Sequence, residues 1–346
     1  MRDGTSAGIP AIARGAIRAF FLYDVADTID LSGVPSALGS LTSPAPLQVR
    51  PQTAPSFIQF ASPPLVVARS PKFATKIFDY GVVSLAFAET FEGEWADFVA
   101  AARRLRRDET LVSASREELD RILEDLRSVL DDPHTPLMED YFVFEVERFA
   151  QPMAAKDLAE THRAELARLV TSEERPLATR EVDDVFRVSF SYYEDDLAVI
   201  EWESAFVYDA NPGPVADILE FANSQLLELR TYDALLDADL DRIYKFKPRA
   251  EELRFLIVDV RELLDRSGNA LKFIGDAYFA RLYRGASSRL GLDEWQRQID
   301  AKLRTVSETY RFIQDRAQHS RDTLLEVIII LLIVIEVVVG ILALHR

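Results

Sequence analysis

Carboxylates are the most abundant groups in this chain that could do chemistry, and they cluster. Asp183 adjoins Asp184, Glu194, Asp195 and Asp196 form a run, Glu201 and Glu203 flank Trp202, and Asp237, Asp239 and Asp241 alternate along one stretch. Paired carboxylates can hold a divalent cation through hard oxygen ligands or divide general acid and base roles between them. The spacing favours a plainer account. Residues 194–196 fall where a strand connection is expected, and residues two apart on a helix fan around it instead of converging, so solvated turns and faces explain these acids better than a metal centre. The four histidines, at positions 134, 162, 319 and 345, lie too far apart to form a local metal motif, and no HExxH is present. Without GxxxxGK[ST], GxGxxG after a strand, or GxSxG, phosphate-cradling loops and a nucleophile elbow lack support. No catalytic residue, metal ligand or cofactor is assigned on these grounds.

Composition narrows the classes further. With 40 Lys plus Arg against 57 Asp plus Glu, the formal charge is −17, which repels phosphate backbones, so direct DNA binding is not expected. The one basic cluster, Arg103, Arg104, Arg106 and Arg107, closes a predicted helix, where the helix dipole favours cations without any RNA contact. Cysteine is absent, which excludes disulfides, thiolate nucleophiles and zinc fingers. At 346 residues, 48% hydrophobic, the chain is long enough for two or three folded units.

The elements that must position these groups follow from periodicity. Residues 1–14 read as a disordered lead, without the uninterrupted apolar stretch of a secretory signal. Gly15 to Tyr23 reads as a strand, Ser32 to Ser70 as proline-interrupted loops and short edge strands, and Thr75 to Ala88 as a strand or hairpin in which Gly81 permits a close backbone approach. Helices are predicted near 95–107 and 116–130, the second stopped by Asp131-Asp132-Pro133. A strand over 141–149, a helix over 156–170, and strands over 182–193 and 197–208 complete an α+β domain spanning 15–210. Beyond Asn211-Pro212-Gly213-Pro214 the periodicity is helical, giving a region over 211–322 with helices near 214–243, 248–266 and 270–287, and a long final helix opened by Asp293 and Gln296. In that helix Leu303, Val306, Tyr310, Ile313, Ala317 and Leu324 recur three and four apart, a coiled-coil seam that predicts a homo-oligomer or packing on the same chain's helices.

From Leu324 to Leu344, 17 of 21 residues are Leu, Ile or Val. Such a helix is about 30 Å long, the thickness of a bilayer core, and its apolar residues outweigh a central carboxyl costing about 2.5–3.5 kcal/mol. Residues 323–344 are therefore predicted to be a single transmembrane helix. Arg311, Arg316 and Arg321 precede it and only His345 and Arg346 follow, which predicts a tail-anchored protein with its N-terminal body on the cytoplasmic side. Glu326 and Glu336, about 80° apart around that helix, are expected to face a partner helix.

Phe78-Asp79-Tyr80-Gly81-Val82-Val83 resembles the aromatic-x-Tyr-Gly-x-Val signature of the "required for meiotic nuclear division" family (domain of unknown function 155). Leu325-Glu326-Val327-Ile328-Ile329 and Ile335-Glu336-Val337 resemble its closing Leu-Glu-Trp-Ile-Ile and second Glu, with Val327 in place of Trp, and Ala222-Asn223-Ser224-Gln225 echoes its Gln-Ser stretch. The resemblance runs from about residue 15 onward and looks like that of a divergent bacterial member, in the inner membrane. It implies a non-enzymatic membrane protein that self-associates and has a translation-related role, with a protein or ribonucleoprotein partner. Two functions are thus carried forward: a membrane scaffold or tether, and a metal-dependent membrane-associated enzyme using the acidic clusters.

Overall fold

Long runs of β-branched and aromatic residues with a period of two build the centre of the molecule. A computed structural model describes residues 8–38, 64–67, 70–245 and 277–311, with Ile329, Ile330, Leu332 and Ile333. Strand β1 (Ile12–Ile29) is buried on both faces: Ile17, Ala19, Phe21, Tyr23 and Val25 alternate with Arg18, Phe20, Leu22 and Asp24. Around it the described residues form an eight-stranded sheet of order β2-β3-β4-β1-β5-β8-β7-β6. The other strands are β2 (Leu65–Val67), β3 (Ala74–Ile77), β4 (Val82–Gly93), β5 (Leu130–Phe149), β6 (Ser189–Phe190), β7 (Leu197–Ile200) and β8 (Ser204–Tyr208). All neighbours are antiparallel except β5 and β8. The α+β expectation holds.

Helices α1 (Val34–Ala37), α2 (Trp95–Arg106), α3 (Glu109–Leu126), α4 (Ala155–Glu160), α5 (Arg163–Val170) and α6 (Thr179–Val185) pack with one sheet face. Phe21, Phe98, Ile122, Leu126, Phe144 and Leu166 are at most 1% exposed in this core. Replacing one such phenylalanine by alanine costs about 3–5 kcal/mol in comparable cores. Helix α7 (Gly213–Lys245) reaches the other face through ion pairs described below, and α8 (Ala277–Arg289) stacks Tyr283 against Phe221 of α7, with ring centroids 5.7 Å apart.

Several predicted boundaries are corrected. Helix α3 starts at Glu109, seven residues before the predicted 116, because Asp108 caps it: Oδ1 accepts from the amides of Thr110 (2.9 Å) and Leu111 (3.2 Å). Asp131-Asp132-Pro133 lies within β5, at a register shift opposite β1 with Asp132 at φ 45°, so the proline sits where the ladder is already broken. The single helix predicted over 156–170 is two, since the amides of Thr161 and His162 both turn back to the Asp157 carbonyl and the His162 carbonyl opens α5. Of the strand predicted over 182–193 only Ser189–Phe190 is a strand; its start, 182–185, closes α6, whose buried Val182 and Val185 are three apart, a helical spacing that β-branched composition concealed. Residues 197–208 form a hairpin, Glu201 N donating to Ser204 O at 2.8 Å.

Among the described residues, those up to Thr231 and 277–295 form one compact unit, and those from Tyr232 to 245 and from Gln296 onward a second. The change at 211 is thus from strands to helices, while the first half of α7 stays with the sheet. In the second unit residues 296–311 are helical, with Leu303 and Val306 buried and Tyr310 half-buried. Lys302 Nζ pairs there with Asp233 at 2.7 Å and Asp237 at 2.6 Å. The predicted helix over 248–266, and Ile313, Ala317, Leu324, Glu326 and Glu336, lie outside the described residues, as does most of the predicted span 323–344. Among the described residues no helix is long and apolar enough to cross a membrane.

Candidate functional site

One face of α7 carries polar residues at helical spacing. Asp217, Glu220, Ser224, Glu228 and Thr231 fall within an arc of about 80° at 100° per residue. On the sheet, Arg18, Lys76, Ser84 and Glu145 share the corresponding face, because Lys76 and Ser84 are register partners and Glu145 pairs with Ala16, two residues from Arg18. The two sets interlock. Lys76 Nζ donates to Asp217 Oδ1 at 2.8 Å and to Glu220 Oε2, while Ser84 Oγ donates to Glu220 Oε1 at 2.6 Å. Arg18 grips Glu145 with two bonds, at 2.7 and 3.1 Å. Arg230 pairs with Glu139 on β5.

Electrostatics explains why Lys76 and Arg18 keep their charge in so closed a place. Burial alone would lower the Lys76 pKa, but the carboxylates of Glu220 and Asp217 outweigh it and hold the ammonium above the ordinary lysine range. Arg18 is raised in the same way, burial being overcome by Glu145. Glu220 is 1% exposed, so an unpaired carboxylate there would carry a large desolvation cost. Sliding α7 by one turn would create that cost, so the layer fixes the helix in register.

The 78–83 segment meets this layer. Phe78 N donates to Val82 O at 2.8 Å to close the β3–β4 turn, and the carbonyls of Gly81 and Asp79 accept from Val25 N (3.0 Å) and Ile29 N (2.9 Å) of β1. Phe78, Val82 and Val83 are buried. Tyr80 shares a 2.7 Å hydrogen bond with Ser224 of α7, and burial pushes its hydroxyl pKa well up. The structure thus unites the Tyr-Gly motif with the Ala222–Gln225 stretch, and it explains the motif by hairpin geometry.

The acidic clusters do not converge. Asp183 pairs with Arg163 at 3.3 Å, and Asp184 with Arg187 at 2.8 Å and Arg289 at 2.9 Å, which hold its carboxyl below the usual range. Glu201 lies 3.7 Å from Arg289, and Asp196 accepts from the amides of Tyr192 and Tyr193. Among the described residues no group of three or more His, Asp or Glu is arranged to hold a metal ion. The arginine cluster is equally engaged: Arg103 with Glu173 O, Arg104 with Glu89, Arg106 with Val170 O and Glu203, Arg107 with Glu174. His162 is buried beside Glu165. His134 lines a cleft of about 630 Å³ with Val25, Leu123 and Arg127; its Nε2 lies 3.2 Å from Asp24, whose hydrogen bond raises the imidazole pKa, and its Nδ1 lies 3.3 Å from Thr135 O. Acceptors near both nitrogens favour its protonated form.

Sequence reasoning missed Arg18, Lys76, Glu145, Asp217 and Glu220. The available signal was a charge at an inward strand position, as in Arg18 within GAIRAFFLY and Glu145 within YFVFEVERF.

No solved structure matches this chain. It is 21% identical over 215 residues to the uncharacterized protein MJ0711 of Methanocaldococcus jannaschii, an alignment covering 59% of this chain and 66% of that protein. The family model described as the N-terminal domain of uncharacterized protein MJ0711 matches residues 14–214, from β1 to the start of α7. This overturns the resemblance to the "required for meiotic nuclear division" family: that likeness rested on short motifs, and the Tyr-Gly pair is what a tight turn against β1 requires. The match covers more than half of the sequence, and the chain belongs to the family of the MJ0711 N-terminal domain.

Proposed function

We propose that this protein is a membrane-anchored scaffold, a folded α+β body carried on a span over residues 323–344 and presenting a surface to a macromolecular partner on the cytoplasmic side. The observation that carries the reading is the apolar run itself. Within it Ile329, Ile330, Leu332 and Ile333 are helical and each more than half exposed, a state that is costly in water and favourable in hydrocarbon. The ion pairs of the body support a scaffold too, since Lys76 is occupied in holding Asp217 and Glu220 of α7, and Arg18 in holding Glu145 of β5. Self-association through the seam falls to Ile313, Ala317 and Leu324, because Leu303 and Val306 are already buried within one chain. The metal-dependent enzyme is the weaker reading, as Asp183, Asp184 and Glu201 each face an arginine.

Flotation tests the anchor. The full chain, mixed with phosphatidylcholine vesicles in detergent that is then removed, should float with the lipid in a density gradient. A chain ending at Asp322 should stay at the bottom. A full chain that also stays at the bottom sinks the proposal.

A further inference from the structure

The turn between β6 and β7 holds two large aromatic side chains out of the body. Tyr192 and Tyr193 are 58% and 67% exposed, although a tyrosine buries 150–250 Å² when packed, by general experience of about that size. Their rings meet edge to face, centroids 4.7 Å apart at 85°, and Tyr192 leans on Tyr278 of α8 at 5.3 Å. The turn beneath them is fixed. The buried Asp196 carboxylate accepts from Tyr192 N at 2.6 Å and Tyr193 N at 3.0 Å, Ser191 Oγ lies 2.8 Å from the carbonyls of Tyr193 and Asp196, and Glu194 O accepts from Ala155 N at 2.8 Å. Exposed aromatics on a preorganised turn lose little freedom on binding, which is the usual character of an interface anchor.

The charge on this turn and at the end of β8 is negative. Glu194 and Asp195 are exposed on the same turn, and Asp209, at the end of β8, is close enough to Asp195 and Asp196 that burial and their charges raise its pKa. At Tyr278 the charges of Asp196 and Asp209 act ahead of that of Arg281, one turn along α8. Tyrosine faces carry negative potential, so rings and carboxylates here attract the same thing, a cation. A phosphate backbone would be repelled.

We propose that Tyr192 and Tyr193, rimmed by Glu194, Asp195 and Asp209, form a docking site for an arginine-rich segment of a partner protein. This deepens the scaffold reading by giving the chemistry of its partner. The guanidinium groups stack on the two rings while the carboxylates take their hydrogen bonds, a geometry that arginine satisfies better than lysine.

The probe is a fluorescein-labelled hexa-arginine peptide, titrated by anisotropy against the full chain in neutral detergent at about 0.15 M salt, where long-range attraction is screened. Tyr192→Ala with Tyr193→Ala should weaken binding about tenfold, and Tyr192→Phe with Tyr193→Phe should keep it within about twofold, because the ring faces remain. Asp195→Asn should weaken it several-fold. Glu117→Gln, which removes the same single charge from an exposed position on α3, should leave it unchanged. An equal loss in that control, no loss in the alanine variant, or tighter binding of an oligonucleotide than of the peptide would overturn the site. Failure here leaves flotation untouched, because one assay reads the turn and the other the apolar run.

Discussion

Gly81→Ala should destabilise the folded body by at least about 3 kcal/mol, a large share of the 5–15 kcal/mol typical of a domain. Two costs add at this residue. Its φ of +89° lies where an L side chain is strained, worth about 1–3 kcal/mol. A Cβ there would also sit 1.7 Å from the Ala26 carbonyl oxygen, so the β3–β4 turn would have to leave β1. That movement breaks the bonds from Val25 N and Ile29 N to the turn. It also draws Tyr80 away from Ser224. Gly8→Ala, with nothing within 4 Å of the added carbon, serves as the control and should be neutral. Urea unfolding followed by circular dichroism reads both, and a cost below about 1 kcal/mol for Gly81→Ala would show that the turn is not held as described.

The second large effect is expected from Lys76→Met. Removing the ammonium leaves Glu220, 1% exposed, with only the Ser84 hydroxyl, and stranding one member of a buried pair costs about 3–5 kcal/mol. Asp217 is 34% exposed and recovers its hydration, which places the loss near the lower end, about 3 kcal/mol. Adding Glu220→Gln removes the stranded charge, so the double variant should be more stable than Lys76→Met alone, with a coupling of at least about 1 kcal/mol. Strict additivity would contradict the layer. The pH dependence has a fixed sign: a lysine pKa raised on folding contributes stability that is fully present below the unfolded value of about 10.4 and is lost as pH rises through the folded one. The gap between wild type and Lys76→Met should therefore hold from neutral pH to about 10 and shrink above it.

What the sequence discloses divides along the range of the interactions. The β3–β4 hairpin was legible because Gly81 and the flanking apolar residues are local signals, and α7 was legible because Val215, Ile218, Leu219, Ala222 and Leu226 keep helical spacing over many turns. Helix α6 was not, since Val182 to Tyr193 is rich in β-branched and aromatic residues while the packing of Val182 and Val185 selects a helix. The charged layer was invisible for a different reason. Arg18 and Glu145 are 127 residues apart, and Lys76 and Glu220 are 144 apart, so nothing local distinguishes them from surface charges. The Tyr-Gly motif is local too but does not identify a family, because a turn with positive φ recurs in unrelated hairpins.

The central claim, that residues 323–344 sit in a bilayer while the body stays in water, can be read at single positions because the chain has no cysteine of its own. Ile333→Cys and Glu203→Cys variants, each labelled with a polarity-sensitive fluorophore and reconstituted into phosphatidylcholine vesicles, would be challenged separately with a nitroxide on the acyl chains and with aqueous iodide. The account predicts strong lipid-borne quenching and little iodide quenching at residue 333, with the reverse at residue 203. Iodide quenching at residue 333 as strong as at residue 203 would contradict it.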